Sequence, residues 1–304
     1  MPPSATDALL PQSVPIDLGS IRLRVLHWPG GPAKRPFLLL HGLASNARFW
    51  ELVAPFLAGA GHAVWAPDLR GHGQSDKPDD GYDFRTITAD VTALASTLPI
   101  DRPVLVGHSW GAMVALEVAA HAPAGGGPTA LALVDGGIGQ VDDYPGATWE
   151  IVRERLRPPR LEGTPLEDLL RRLEASGRPF PIDDTRRAII LGNFDVRPDG
   201  TIAPHLTYDH HMTLVRAMWE SPVYQLFDAI RCPVLMVPAR RAPVRGVEGD
   251  VYLAIKERGI ERAHRSIRNL RVEWMEDTDH DIPLHRPEAL ARLLIELAAW
   301  NPSG

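Results

Sequence analysis

Ser109 lies in Gly107-His108-Ser109-Trp110-Gly111, a G-x-S-x-G run. The apolar stretch Val104-Leu105-Val106 precedes it, and the helix-like stretch Trp110–Ala120 follows. A serine hydroxyl is a weak nucleophile until a neighbouring base takes its proton. On a sharp strand-to-helix turn it stands exposed above the sheet on strained backbone. Flanking glycines keep side chains out of that crossing, and the helix N-terminus favours a developing oxyanion. A plain turn serine would not need this strand-before, helix-after setting.

A nucleophilic serine needs a base and two oxyanion donors. His280 is the candidate base, in Asp277-Thr278-Asp279-His280-Asp281-Ile282-Pro283 after the apolar stretch Val272–Met275. His285, near the start of the final helix, reads as structural. The backbone of Trp110 supplies one oxyanion donor, and Leu43, in His41-Gly42-Leu43 after Phe37–Leu40, supplies the other. The turn-rich stretch Asp68–Ser75 reads as structural, with a local Asp68–Arg70 ion pair. His41, His108, Leu214, Met218 and Trp219 are the candidate substrate-pocket residues, although helical spacing from Leu214 to Trp219 also suits core packing.

Short apolar strands must carry these groups. Val14–Asp17 and Ile21–His27 flank a Gly19-Ser20 turn; Phe37–Leu40, Ala63–Ala66, Val104–Val106, Leu131–Val134, Val234–Val237 and Val272–Met275 follow. Helical patterns such as Thr86–Leu98, Trp110–Ala120 and Pro287–Trp300 separate them. This alternation predicts a doubly wound α/β fold with a mostly parallel buried sheet. Between Gly137 and Arg231 the rhythm changes to helical patterns, with one tight turn at Asp199-Gly200. The expected organisation is a core over 1–136 and 232–304, with a helical cap over 137–231 between the sixth and seventh strands.

The 304 residues, 44% hydrophobic and 23% charged, describe an ordinary globular chain. The net charge of −6 gives no reason to expect nucleic acid or an anionic membrane as partner. No apolar run reaches the ~20 residues of a membrane span, and the N-terminus lacks a signal-peptide pattern. The single Cys232 fits a reducing compartment, so a soluble cytoplasmic protein is expected. No cofactor is expected. His205, His210 and His211 lack the carboxylate or cysteine pattern of a metal site. Cap arginines, Arg153 and Arg155 among them, read as a solvated face; drawing in anionic substrates is the other reading.

Together, His41-Gly42, Asp68–Ser75, Gly107–Gly111 and Asp279-His280 resemble the α/β-hydrolase fold family, in its capped esterase, lipase and C–C hydrolase branch. The resemblance spans residues 14 to 300. It implies Ser109 as nucleophile, His280 as base and Leu43 with Trp110 as oxyanion donors. In most of the family the triad acid follows the strand after the cap. Here that position reads Val237-Pro238-Ala239-Arg240-Arg241-Ala242-Pro243, without a carboxylate. Asp135, ending the strand before the cap, is therefore the expected acid; Glu248 and Asp250 are the alternatives, and Asp279 is too near His280 in sequence.

The implied activity is hydrolysis of small to medium carboxylic esters, with a small-molecule ester as partner. Hydrolysis of a C–C bond in a vinylogous diketone, or non-catalytic ligand reception on the same fold, are the alternatives. Epoxide hydrolase and haloalkane dehalogenase branches place Asp where this chain has Ser109.

Overall fold

The structure is a computed structural model that describes residues 10–241 and 251–301. Its main sheet has eight strands: β1 (Gln12–Asp17), β2 (Arg22–Trp28), β3 (Phe37–Leu40), β4 (Val64–Pro67), β5 (Val104–His108), β6 (Ala130–Val134), β7 (Val234–Val237) and β8 (Leu270–Val272). The spatial order is β1-β2-β4-β3-β5-β6-β7-β8. β1 and β2 run antiparallel to their neighbours, and the rest pair in parallel.

The central strands are apolar throughout because both faces are covered. Successive side chains alternate between two packed layers. Leu38, Leu40, Leu105, Leu131, Leu133 and Met236 meet the helices Phe84–Thr97 and Trp110–Ala120 through Ile87, Val91, Leu94 and Leu116. Phe37, Leu39, Val104, Val106, Ala132 and Leu235 meet the helices Ala54–Gly59 and Pro287–Ala299 through Leu57, Leu290, Leu294 and Leu297.

The expected strand Val272–Met275 divides in two. Leu270–Val272 completes the sheet, and Met275–Glu276 pairs in parallel with Ala239–Arg240. Pro238 offers no amide hydrogen, so the ladder breaks beside it. Its carbonyl still accepts the Met275 N–H at 2.9 Å. This extension carries the chain over the sheet edge toward His280.

Between β6 and β7 lie the helices Trp149–Leu156, Leu166–Glu174, Asp184–Leu191, Tyr208–Glu220 and Val223–Phe227. The turn at Asp199-Gly200 closes a hairpin of Phe194–Val196 with Thr201–Pro204, and Gly200 takes φ +81° there. Thr164–Pro165 adds a third strand whose two residues carry no readable alternation in the sequence. The helix Val251–Ser266 was also missed, because its buried stripe is narrow: Gly259, Ile260 and Ala263. Gly259 lets that helix touch the turn after β6. A Cβ there would lie 2.0 Å from the Ile138 carbonyl oxygen. No helix of the described residues is long and apolar enough to cross a membrane.

Candidate active site

Strand ends set the positions of Ser109 and Asp135. Past β5, the Ser109 N–H donates to the Val134 carbonyl at 2.9 Å; past β6, the Asp135 N–H donates to Val237 at 3.0 Å. Ser109 and Asp135 thus emerge side by side. Ser109 has φ 54° and ψ −121°, a strained conformation for a residue with a Cβ. Close packing enforces that turn. A Cβ on Gly107 would lie 2.1 Å from the Gly111 oxygen, and one on Gly136 would lie 2.1 Å from the Ser109 oxygen.

The His280 Nδ1–H donates to Asp135 Oδ2 at 2.6 Å, and its Nε2 lies 2.9 Å from Ser109 Oγ. Asp135 is buried, and its Oδ1 accepts from the Ala239 N–H and from Lys256 Nζ, each at 2.7 Å. Burial alone would raise the Asp135 carboxyl. The His280 bond and charge, with the Lys256 ammonium, overcome it and hold the pKa at about 2. Burial pushes the His280 imidazole down, but the bond to Asp135 and its charge set it above 6.5.

The loop carrying His280 is pinned on several sides. His108 Nε2–H donates to the His280 carbonyl at 2.9 Å. Burial, then the charge of His280, lowers the His108 pKa to about 4, so this ring stays neutral. Asp279 accepts the His280 N–H at 2.7 Å and binds Arg241 at 2.9 Å, while Asp281 binds Arg178 of the 137–231 segment. Asp279 thus serves the loop backbone and not the imidazole. His285 Nδ1 accepts the Asp279 N–H at 3.3 Å, in keeping with a structural reading.

Opposite lies the His41-Gly42-Leu43 turn. A Cβ on Gly42 would come 3.2 Å from the Ser109 Cβ, which brings this turn against Ser109. Trp110 opens its helix, so its N–H has no intrahelical acceptor. Two buried neutral imidazoles hold the turn. His41 Nδ1–H donates to Gly42 O at 2.8 Å, and its Nε2 accepts from Leu69 N at 3.0 Å. His72 Nε2 accepts from Ala44 N at 3.2 Å, and its ring stacks on Trp110. Burial lowers both pKa values, that of His41 to about 4.

The expected Asp68–Arg70 pair does not form. Asp68 binds Arg24 on β2 at 2.7 Å, and Arg70 binds Asp90 at 2.8 Å. Both aspartates are buried and need a donor set that neighbouring loop residues do not supply.

A cavity of about 490 Å³ opens above Ser109 and His280, walled by Trp110, Met113, Ile138, Val152 and Met218 among others. Of the candidate pocket residues, Met218 lines it; the others are corrected. His41 and His108 are buried beneath the site as hydrogen-bonding supports. Leu214 is wholly enclosed in the core, and Trp219 turns aside to pack near Trp149. Sequence reasoning missed Lys256 and did not single out Arg155 from the other cap arginines; both line the cavity, from helices whose phase decides what faces inward. Glu248 and Asp250 lie outside the described residues.

The cap histidines stay apart in role: His210 stacks on Tyr82, and His211 bonds the Leu156 carbonyl at 3.2 Å. Among the described residues no group of three His, Cys, Asp or Glu is placed to hold a metal.

A doubly wound sheet with this strand order and a serine on a strained β5 turn defines an α/β-hydrolase framework. The model of the alpha/beta hydrolase family matches residues 37–293, and the chain belongs to that family. Epoxide hydrolase A of Mycobacterium tuberculosis is 41% identical over 101 residues, 33% of this chain and 31% of that protein. The 2-(acetamidomethylene)succinate hydrolase of Mesorhizobium japonicum is 37% identical over 108 residues, 36% of this chain and 37% of the other. The matched part thus spans about a third of these curated relatives' length. Among solved structures, E-2-(acetamidomethylene)succinate hydrolase superimposes with a TM-score of 0.75 at 21% identity, over 95% of this chain and 100% of that one.

Proposed function

We propose that the protein is a serine hydrolase of carboxylic esters of small to medium acyl groups. The observation that supports it is the run of contacts from Asp135 Oδ2 through His280 to Ser109 Oγ, 2.6 and 2.9 Å. In this reading Ser109 Oγ attacks the ester carbonyl as His280 Nε2 takes its proton. The backbone N–H groups of Leu43 and Trp110 receive the oxyanion. The C–O bond to the alcohol breaks, and the His280 proton goes to the departing oxygen. Water, deprotonated by His280, then attacks the acyl-enzyme, releases the acid and restores Ser109. Asp135 holds the imidazole tautomer and stabilises the imidazolium. The segment 137–231 acts as the cap that walls the cavity.

The partial likeness to an epoxide hydrolase does not bring that activity here. Serine attack on an epoxide would leave an ether, with no carbonyl for water to attack, and turnover would stop. A second reading is hydrolysis of a C–C bond in a vinylogous diketone. The same three groups serve it, and the mostly apolar wall of Trp110, Met113, Ile138 and Met218 suits such a chain.

A fluorophosphonate probe tests the reading: it labels the protein once, at Ser109, and simple activated esters turn over repeatedly. Equal labelling of Ser109→Ala would overturn it. Labelling without repeated ester turnover would favour the C–C or receptor reading.

A further inference from the structure

Three cationic side chains line the cavity: Lys256, Arg241 and Arg155. Two are committed. Lys256 Nζ lies 2.7 Å from both Asp135 Oδ1 and the Ala239 carbonyl. Arg241 is bound to Asp279 at 2.9 Å. Asp135 and Asp279 are also the only carboxylates of the described lining, so neither is left for a third cation.

Arg155 has no ion pair with any described carboxylate. The acid beside it, Glu154, is engaged by Arg157 at 2.9 Å and by Arg153 at 3.9 Å. The Arg155 guanidinium lies over the Tyr144 ring, 3.9 Å from its centroid. Tyr144 lines the same cavity, as does Val152, one helical turn before Arg155 on the same face. A guanidinium stacked on a ring keeps its N–H edge free. Its paired donors fit the two oxygens of a carboxylate. Among the described lining residues the cations therefore outnumber the carboxylates by one, and the unpaired cation stands on the helix Trp149–Leu156.

We propose that the substrate carries a carboxylate besides its scissile group, and that Arg155 binds it. This rests on the hydrolase reading and names its substrate class: half-esters of short dicarboxylic acids. In this reading Arg155, although exposed, is a specificity residue.

Binding to Ser109→Ala separates the two ideas, because that variant needs no chemistry. Calorimetry compares monomethyl succinate, glutarate and adipate with the matching uncharged carboxamides. At least one half-ester should bind about two- to fivefold more tightly than its carboxamide, the size of one solvent-exposed ion pair. The preference should shrink as salt rises. Adding Arg155→Gln should bring the half-ester down to the affinity of its carboxamide. Equal affinity of every pair in Ser109→Ala would overturn the proposal, as would a preference that survives Arg155→Gln. Failure of the hydrolase reading shows separately, as absence of Ser109 labelling in the wild type.

Discussion

His280 can take a proton from Ser109 only when its imidazole is neutral. Its pKa lies above 6.5 because the Asp135 bond and charge outweigh burial. kcat/KM should therefore rise with pH through a midpoint above 6.5. Asp135, at about 2, stays ionised across that range, and His108, at about 4, stays neutral. Neither adds a second limb. Asp281 on the same loop favours the imidazolium, while the Lys256 ammonium disfavours it. Lys256→Met should move the midpoint to higher pH, read from the kcat/KM profile; movement to lower pH would contradict this electrostatic account. Asp135→Asn should lower kcat by roughly 10⁴ in a folded protein. At this scale Ser109 and His280 were legible, since a motif and a strand end marked them. Asp135 was reached through the missing carboxylate after β7. Lys256 was not legible. Its approach depends on Gly259 bringing a helix against Ile138, a contact no local pattern announces.

The loops between strands owe their shape to buried charge. Asp68 Oδ1 accepts from the Ala47 N–H at 2.7 Å, and its Oδ2 accepts from Arg24 Nε and the Gln74 N–H, each at 2.7 Å. One carboxylate thereby ties β2, the turn after β3 and the turn after β4 together. Asp68→Ala would leave a largely buried guanidinium and two amides without their acceptor. A loss of about 3–5 kcal/mol is expected, measured by urea unfolding. A loss below about 1 kcal/mol would mean that water replaces the carboxylate. The sequence marked Asp68 as structural, yet suggested the wrong partner. Arg70 is near in sequence, whereas Arg24 arrives only when β2 pairs with β4. Strands were legible for the opposite reason: burial on both faces leaves an apolar run that survives without knowledge of neighbours. The two-residue strands and the polar helix Val251–Ser266 leave no such trace.

Across the whole molecule, the sheet edge carries Ser109, Asp135 and His280, and residues of the 137–231 segment also line the cavity above them. The two meet at the cavity, which Val152, Leu156 and Met218 line together with Ser109. That helices follow Gly137 was legible from the change of rhythm there. Which of their side chains turn inward was not, because that depends on how Trp149–Leu156 packs on Tyr208–Glu220. Leu214 and Met218 stand four apart on one helix, yet one is sealed in the core and the other reaches the cavity. Their substitutions should therefore diverge. Leu214→Ala empties a fully packed site and should cost about 2–5 kcal/mol of stability. Met218→Ala enlarges a cavity that is already open, so its effect on stability should be smaller, while the preferred acyl length should increase. Unfolding midpoints and a chain-length panel of esters measure both. The same change in acyl preference from both variants would mean that the helix moves as a unit. Unchanged preference in Met218→Ala would remove this helix from substrate selection and leave that role to Val152 and Leu156.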